Sequence, residues 1–150
     1  MPKHPKDSGI HPYAKILIVD DEPLVLEILE LAFRQSSFDV VTANTSQLAL
    51  KLLDRGHFDA LISDVRLEHI DGFDLLKLAR RGNPLLVAIL ITGAPQEVDA
   101  QRASEMSADY VVKPLSLSKL ISRVKELMST IGETESVERL NDERSVNATR

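Results

Sequence analysis

Four short groups of polar residues each follow directly on an apolar run. Asp20, Asp21 and Glu22 follow residues 16–19, Ser63 and Asp64 follow 60–62, Thr92 and Gly93 follow 85–91, and Lys113 and Pro114 follow 110–112. If the runs are strands of one open sheet, all four groups meet beyond its carboxyl edge, where such sheets bind ligands. Asp20, Asp21 and Asp64 would then repel one another, by roughly 4 kcal/mol for a pair about 4 Å apart at an effective dielectric of about 20. A cation must offset that. Carboxylates with carbonyls and water are the hard oxygen ligands of Mg²⁺, and Lys113 adds an ammonium. With that charge neutralising an incoming phosphoryl group, the Asp64 carboxylate can attack phosphorus in line and become an aspartyl phosphate, with Thr92 offering a hydroxyl donor.

The elements that must hold these residues are legible. The runs 16–19, 60–62, 85–91 and 110–112 are nearly uninterrupted, as strands buried on both faces are. A shorter, more polar stretch, Asp39 to Ala43, reads as an edge strand. Between them, Pro23 opens a helix with Val25, Ile28, Leu29 and Ala32 on one side and Glu30 and Arg34 outside. Ser46 caps a second helix, with Ala49, Leu52 and Leu53 inward and its end at Gly56. A third runs from Gly72 through Leu75, Leu76 and Ala79 to Gly82. The fourth, from Gln96 to about Met106, has only Val98, Ala103 and Met106 to turn inward and should be the least firmly anchored. The last carries a stripe from Leu117 to Ile131 behind Ser116. Strand and helix alternate five times, which predicts an α/β domain with a doubly wound, five-stranded parallel sheet.

Composition narrows the function classes. At 150 residues, 43% hydrophobic and 27% charged, the chain suits one ordinary globular domain. Eighteen Lys and Arg against 23 Asp and Glu give a net charge of -5, which argues against nucleic-acid or anionic-membrane binding by bulk charge. Without cysteine, thiolate chemistry is excluded. No run approaches the ~20 apolar residues that span a bilayer, and no secretory signal opens the chain, so a cytoplasmic location follows by default. Residues 1–14 read as a flexible leader, 15–131 as the domain, and 132–150 as a polar, disordered tail or the start of a linker. His4, His11, His57 and His69 share no metal-ligand spacing and read as solvated.

The motifs ILIVDDEP at 16–23, LISDVRL at 61–67, Asp71-Gly72, LITGA at 90–94 and YVVKP at 110–114 resemble, in order and spacing, the receiver domain of two-component response regulators. The likeness runs from about Lys15 to Ile131. It implies a flavodoxin-like strand order of 2-1-3-4-5 and a phosphoryl-accepting switch rather than an enzyme. Asp64 would be the phosphoacceptor, and Mg²⁺ the cofactor, held by Asp20, Asp21, Asp64 and the backbone carbonyl of Arg66, with Asp21 the more direct ligand. Lys113 would pair with the phosphoryl group, its bond to Pro114 being cis, and Thr92 and Tyr110 would be the switch pair. Phosphorylation would reshape the face made by the fourth helix, fifth strand and fifth helix. A sensor histidine kinase or histidine phosphotransfer protein would supply the phosphoryl group. A downstream effector or an output domain elsewhere would read it, and a homodimer is compatible with the pattern.

Two departures stand out. Leu67 and Glu68 occupy positions where the family often has Met-Pro, which predicts a looser turn after the third strand. Arg66, two residues after Asp64, occupies a position that tunes phosphoryl lifetime in the family; its guanidinium can pair with a phosphoryl oxygen or a neighbouring carboxylate, or hinder water. An aspartyl phosphohydrolase, the competing enzyme reading, normally needs an acid where Arg66 stands. A nucleotide-binding module would want a Gly-, Ser- or Thr-rich loop where Asp20, Asp21, Glu22 and Pro23 stand. A receiver-like scaffold that binds partners without phosphorylation is opposed by the intact Asp21, Asp64, Thr92 and Lys113.

Overall fold

The computed structural model describes the backbone of residues 13–148 and the side chains of residues 13–132. Ten elements alternate: β1 (Lys15–Val19), α1 (Pro23–Gln35), β2 (Asp39–Ala43), α2 (Ser46–Arg55), β3 (Ala60–Asp64), α3 (Gly72–Gly82), β4 (Val87–Thr92), α4 (Glu97–Glu105), β5 (Asp109–Val112) and α5 (Leu117–Ala148). The strands pair in parallel in the order β2-β1-β3-β4-β5, the doubly wound arrangement that the apolar runs and the family resemblance predict.

Because side chains alternate across a strand, each run supplies both faces of the sheet. Leu17, Leu61, Ala88 and Leu90 face one layer with Phe73, Leu75 and Leu76 of α3 and Ala49 of α2. Ile16, Ile18, Ile62 and Ile89 face the other, with Leu29 and Phe33 of α1 and Leu120 and Val124 of α5. Each such Leu, Ile, Val or Phe side chain, fully buried, contributes on the order of 1.5–3 kcal/mol. Pro23 sits in the first turn of α1, and Glu30 pairs with Arg34 at 2.8 Å on its outer face. Arg123 ties α5 to β5, its Nη2 donating to Asp109 Oδ1 at 3.0 Å. Arg80 of α3 donates to the carbonyls of Met106, Ser107 and Leu86, fastening the end of α4 to the start of β4.

Several local expectations need correction. The cap of α2 is Thr45, whose Oγ1 accepts from Leu48 N–H at 3.1 Å; Ser46 lies inside the helix, freeing its buried hydroxyl to donate to Glu68 O at 2.6 Å. That bond helps pin the turn expected to be loose. The β4 strand begins at Val87 rather than at Leu85, which is exposed, and Ile28 faces outward while Phe33 takes its place in the core. On α4, Val98 is 64% exposed and Asp99 is buried instead. The α5 backbone continues as helix to Ala148 in place of the disordered tail expected from residue 132. Residues 132–148 contain no proline and are rich in Glu and Arg, good helix formers, so loss of the apolar stripe did not mark the helix end. The leader expected over 1–14 lies, except for Tyr13 and Ala14, outside the described residues, as do residues 149 and 150. Among the described residues, no helix is long and apolar enough to cross a membrane.

Candidate functional site

Register brings the polar groups to one edge. Val19 pairs with Ser63, Asp64 with Ile91, and Thr92 with Val112, so Asp20, Asp64, Thr92 and Lys113 end four adjacent strands within a residue of one another. Asp64 closes a strand whose five residues are all buried. Asp20 is 1% and Asp64 6% exposed, whereas Asp21 and Glu22 are open to solvent.

Four carboxylates, of Asp20, Asp21, Glu22 and Asp64, each place one oxygen within 4.8 Å of all the others. Lys113 Nζ reaches into them, 3.0 Å from Glu22 Oε1, 3.3 Å from Asp20 Oδ2 and 3.5 Å from Asp64 Oδ2. Backbone N–H groups take the other oxygens: Glu22 donates to Asp20 Oδ1 at 2.9 Å and Arg66 to Asp64 Oδ1 at 3.3 Å. Among the described residues, Asp20 Oδ2 is buried with only the Lys113 ammonium 3.3 Å away and no well-directed hydrogen bond, a position that a buried acceptor rarely holds without a further ligand or water. An acceptor left over, beside three further hard oxygen donors, fits a divalent cation of the Mg²⁺ type.

The electrostatics carry the same signature. Burial pushes the Asp20 carboxyl above the ordinary carboxylate range, a rise that the Glu22 N–H and Lys113 only partly offset. Asp64 is likewise raised by burial, against the opposing pull of Lys113, with Asp20 and Asp21 adding to the rise. Burial would lower the Lys113 ammonium, yet Glu22, Asp20 and Asp64 together drive it above its ordinary value. The site thus holds more negative charge than one lysine balances.

Gly72 is set by close approach. A Cβ there would fall 2.5 Å from the Asp64 carbonyl oxygen, so α3 can start against β3 only without a side chain. Asp71 and Asp74 close a reciprocal capping box at that start. The Lys113–Pro114 peptide is cis, and Lys113 N–H donates to Thr92 O at 2.8 Å. Thr92 is fully buried, its Oγ1 accepting from Ala94 N–H at 3.0 Å. Tyr110, half-buried, accepts at its hydroxyl from Gln96 N–H at the head of α4, at 3.3 Å.

Asp20, Asp21, Asp64, Thr92 and Lys113 are therefore gathered in one place, while Tyr110 lies three residues before Lys113, near the start of β5. Two members were not singled out by sequence. Glu22, read only as the end of an acidic triplet, is the shortest of the Lys113 contacts. Asp99, on a weakly apolar helix, gave no local signal; its carboxylate, 4% exposed, pairs with Arg66 Nη2. The Arg66 guanidinium thus has a neighbouring carboxylate as partner in this structure.

The sequence profile described as the response regulator receiver domain matches residues 16–125. The chain is 33% identical over 115 residues to the alkaline phosphatase synthesis transcriptional regulatory protein PhoP of Bacillus subtilis, covering 76% of this chain and 48% of that protein. It spans about half the length of the bacterial transcriptional regulators it matches. Among solved structures, a CheY-like response regulator receiver domain protein from Methanospirillum hungatei superposes with a TM-score of 0.76 at 24% identity, over 81% of this chain and 98% of that one. The BeF3-activated DrrB receiver domain does so with a TM-score of 0.71 at 27% identity, over 78% and 98%. The chain belongs to the receiver domain family of two-component response regulators, whose members are regulatory domains of signalling proteins.

Proposed function

We propose that residues 15–131 form a phosphoryl-accepting switch in which Asp64 takes a phosphoryl group from a histidine kinase or a histidine phosphotransfer protein, in a Mg²⁺-dependent step. The observation that carries this reading is Asp64 at the end of a fully buried strand, inside a carboxylate cluster and 3.5 Å from Lys113 Nζ. An Asp64 oxygen attacks phosphorus in line, an O–P bond forms, and the P–N bond of the donor phosphohistidine breaks with its electron pair returning to the imidazole nitrogen. Asp20, Asp21, Asp64 and the Arg66 carbonyl would hold Mg²⁺, which supplies positive charge to the phosphoryl oxygens. Lys113 pairs with the same oxygens, and the Thr92 hydroxyl donates a hydrogen bond. The beryllofluoride complex of a relative at 27% identity supports an acceptor site of this kind.

Readout follows from limited energies. Charge-assisted hydrogen bonds contribute ~1.5–3 kcal/mol each, so Thr92 and Lys113 together supply roughly 3–6. Shifting an equilibrium from 1:99 to 99:1 takes ~5.5 kcal/mol, so the switch redistributes populations. Thr92 moving toward the phosphoryl group and Tyr110 turning inward would break the Gln96 contact and change the α4, β5 and α5 face. A downstream effector or an output domain reads that face in the cytoplasm. Arg66 shields the acyl phosphate from water and lengthens its lifetime. The test is labelling by acetyl phosphate: the intact chain should label only with Mg²⁺, and Asp64→Asn should not label. Label that persists in Asp64→Asn refutes the assignment.

A further inference from the structure

The first two turns of α4 are fastened by charge rather than by apolar packing. Asp99 is buried against the Arg66 guanidinium, and Arg102 Nη1 lies 3.5 Å from Asp71 Oδ2 with its guanidinium 4.3 Å above the Phe73 ring. Ala103 is the buried apolar residue of the helix, while Val98 faces solvent. Each ion pair has one partner on α4 and one on the segment joining β3 to α3, directly after Asp64. Arg66 is the more responsive of the two clasps. Its backbone N–H holds Asp64 Oδ1, and its side chain is 41% exposed and so has room to turn.

We propose that Asp99 and a phosphoryl group on Asp64 compete for the Arg66 guanidinium, so that charging Asp64 unfastens the head of α4. The inference rests on the phosphoacceptor reading above. A phosphoryl group brings about two negative charges and three strong acceptor oxygens, and guanidinium groups bind phosphate oxygens in paired hydrogen bonds. Once Arg66 turns to it, Asp99 is a buried carboxylate with no other ion-pair partner among the described residues. Burial of an unpaired charge is strongly unfavourable, which favours opening of the first turn of α4 to water. Coupling of this kind is reciprocal: by holding Arg66, Asp99 weakens binding at Asp64. Asp99 is thus a positioning residue that acts through Arg66.

The sign separates this role from a structural one. In the full chain, Asp99→Asn keeps the size of the side chain but weakens its hold on Arg66. It should raise amide hydrogen exchange across residues 97–105 without any ligand, yet bind beryllofluoride with Mg²⁺ about 5–10-fold more tightly, the lower range of site-to-site coupling. A merely structural contact would loosen the helix and leave binding unchanged or weaker. In an Arg66→Ala background the gain should vanish, and beryllofluoride should raise α4 exchange in the parent chain but little further in Asp99→Asn. Equal or weaker binding by Asp99→Asn, a gain that survives in Arg66→Ala, or α4 exchange in the parent chain that ignores beryllofluoride overturns the proposal. Two further results separate the readings. Beryllofluoride binding that does not need Asp64 brings down the phosphoacceptor reading and this one together, whereas binding that needs Asp64 but is indifferent to Asp99 removes the competition alone.

Discussion

Replacing Lys113 by Met keeps the aliphatic stem and removes the ammonium, which isolates the charge balance of the site. At an effective dielectric of about 20, the contacts at 3.3 Å to Asp20 and 3.5 Å to Asp64 are each worth roughly 5 kcal/mol before solvation is counted. Stranding one side of a buried ion pair costs about 3–5 kcal/mol. The Lys113 side chain is 17% exposed and its third partner, Glu22, is 60% exposed, so a loss of about 2–3 kcal/mol is expected, since exposed pairs contribute little. For a domain of this size that lowers Tm by roughly 6–12 °C. Urea and thermal unfolding of the metal-free protein near neutral pH measure it. Two conditions should shrink the deficit: millimolar Mg²⁺, which replaces the missing positive charge, and acid, which protonates Asp20 and Asp64. A Lys113→Met protein as stable as the parent without metal would refute the charge argument, and a deficit indifferent to both Mg²⁺ and acid would assign the loss to packing of the stem.

Four further outcomes are expected. The carboxyls of Asp20 and Asp64 are raised from the ordinary 3.8, so the stability they lend is complete below that value and is lost as pH rises through their folded values. Asp64→Asn should therefore melt higher than the parent at neutral pH in chelator, an advantage that fades on acidification and that calorimetry across the pH range would reveal or deny. For the same reason protons should compete with Mg²⁺ at pH values above the ordinary carboxylate range, read as an affinity in isothermal titration that falls earlier on acidification than for a solvated carboxylate cluster. Gly72→Ala forces a 2.5 Å contact onto the Asp64 carbonyl and should destabilise by about 1–3 kcal/mol, as overpacking does, while weakening Mg²⁺ binding; a variant that unfolds and binds like the parent contradicts the close approach. Arg66→Asn should release phosphate from the labelled protein several-fold faster, and an unchanged decay would remove Arg66 from control of lifetime.

The fold was legible because its signals were redundant. Continuous apolar runs such as Ile16 to Val19 and Val87 to Ile91 carry both faces of a covered parallel sheet, and turns such as Asp20-Asp21-Glu22-Pro23 mark where each run stops. The parallel register then delivers Asp20, Asp64, Thr92 and Lys113 to one edge without further information. What stayed hidden depends on pairing across elements. Asp99 reads as one more acid on a polar helix until Arg66, 33 residues earlier, is placed beside it. Ser is by type a somewhat better cap than Thr, yet Thr45 caps the helix because the Ser46 hydroxyl meets Glu68 O. Ile28 and Phe33 were ambiguous because α1 is apolar on more than one side, with Leu24 and Leu31 also exposed, so periodicity alone could not fix which side turned inward.

Arg80 gives α4 two unlike ends. At Met106 and Ser107 the carbonyls are gripped by a guanidinium anchored in α3, whereas the end at Glu97 hangs on partners that added charge can lure away. Such an arrangement swings like a door on one jamb. With nine residues at 1.5 Å each, a swing of about 10° carries the free end through roughly 2 Å while the pivot stays nearly still. A protein that gripped the outward Val98 would feel almost the whole arc, and one that leaned on Met106 almost none of it.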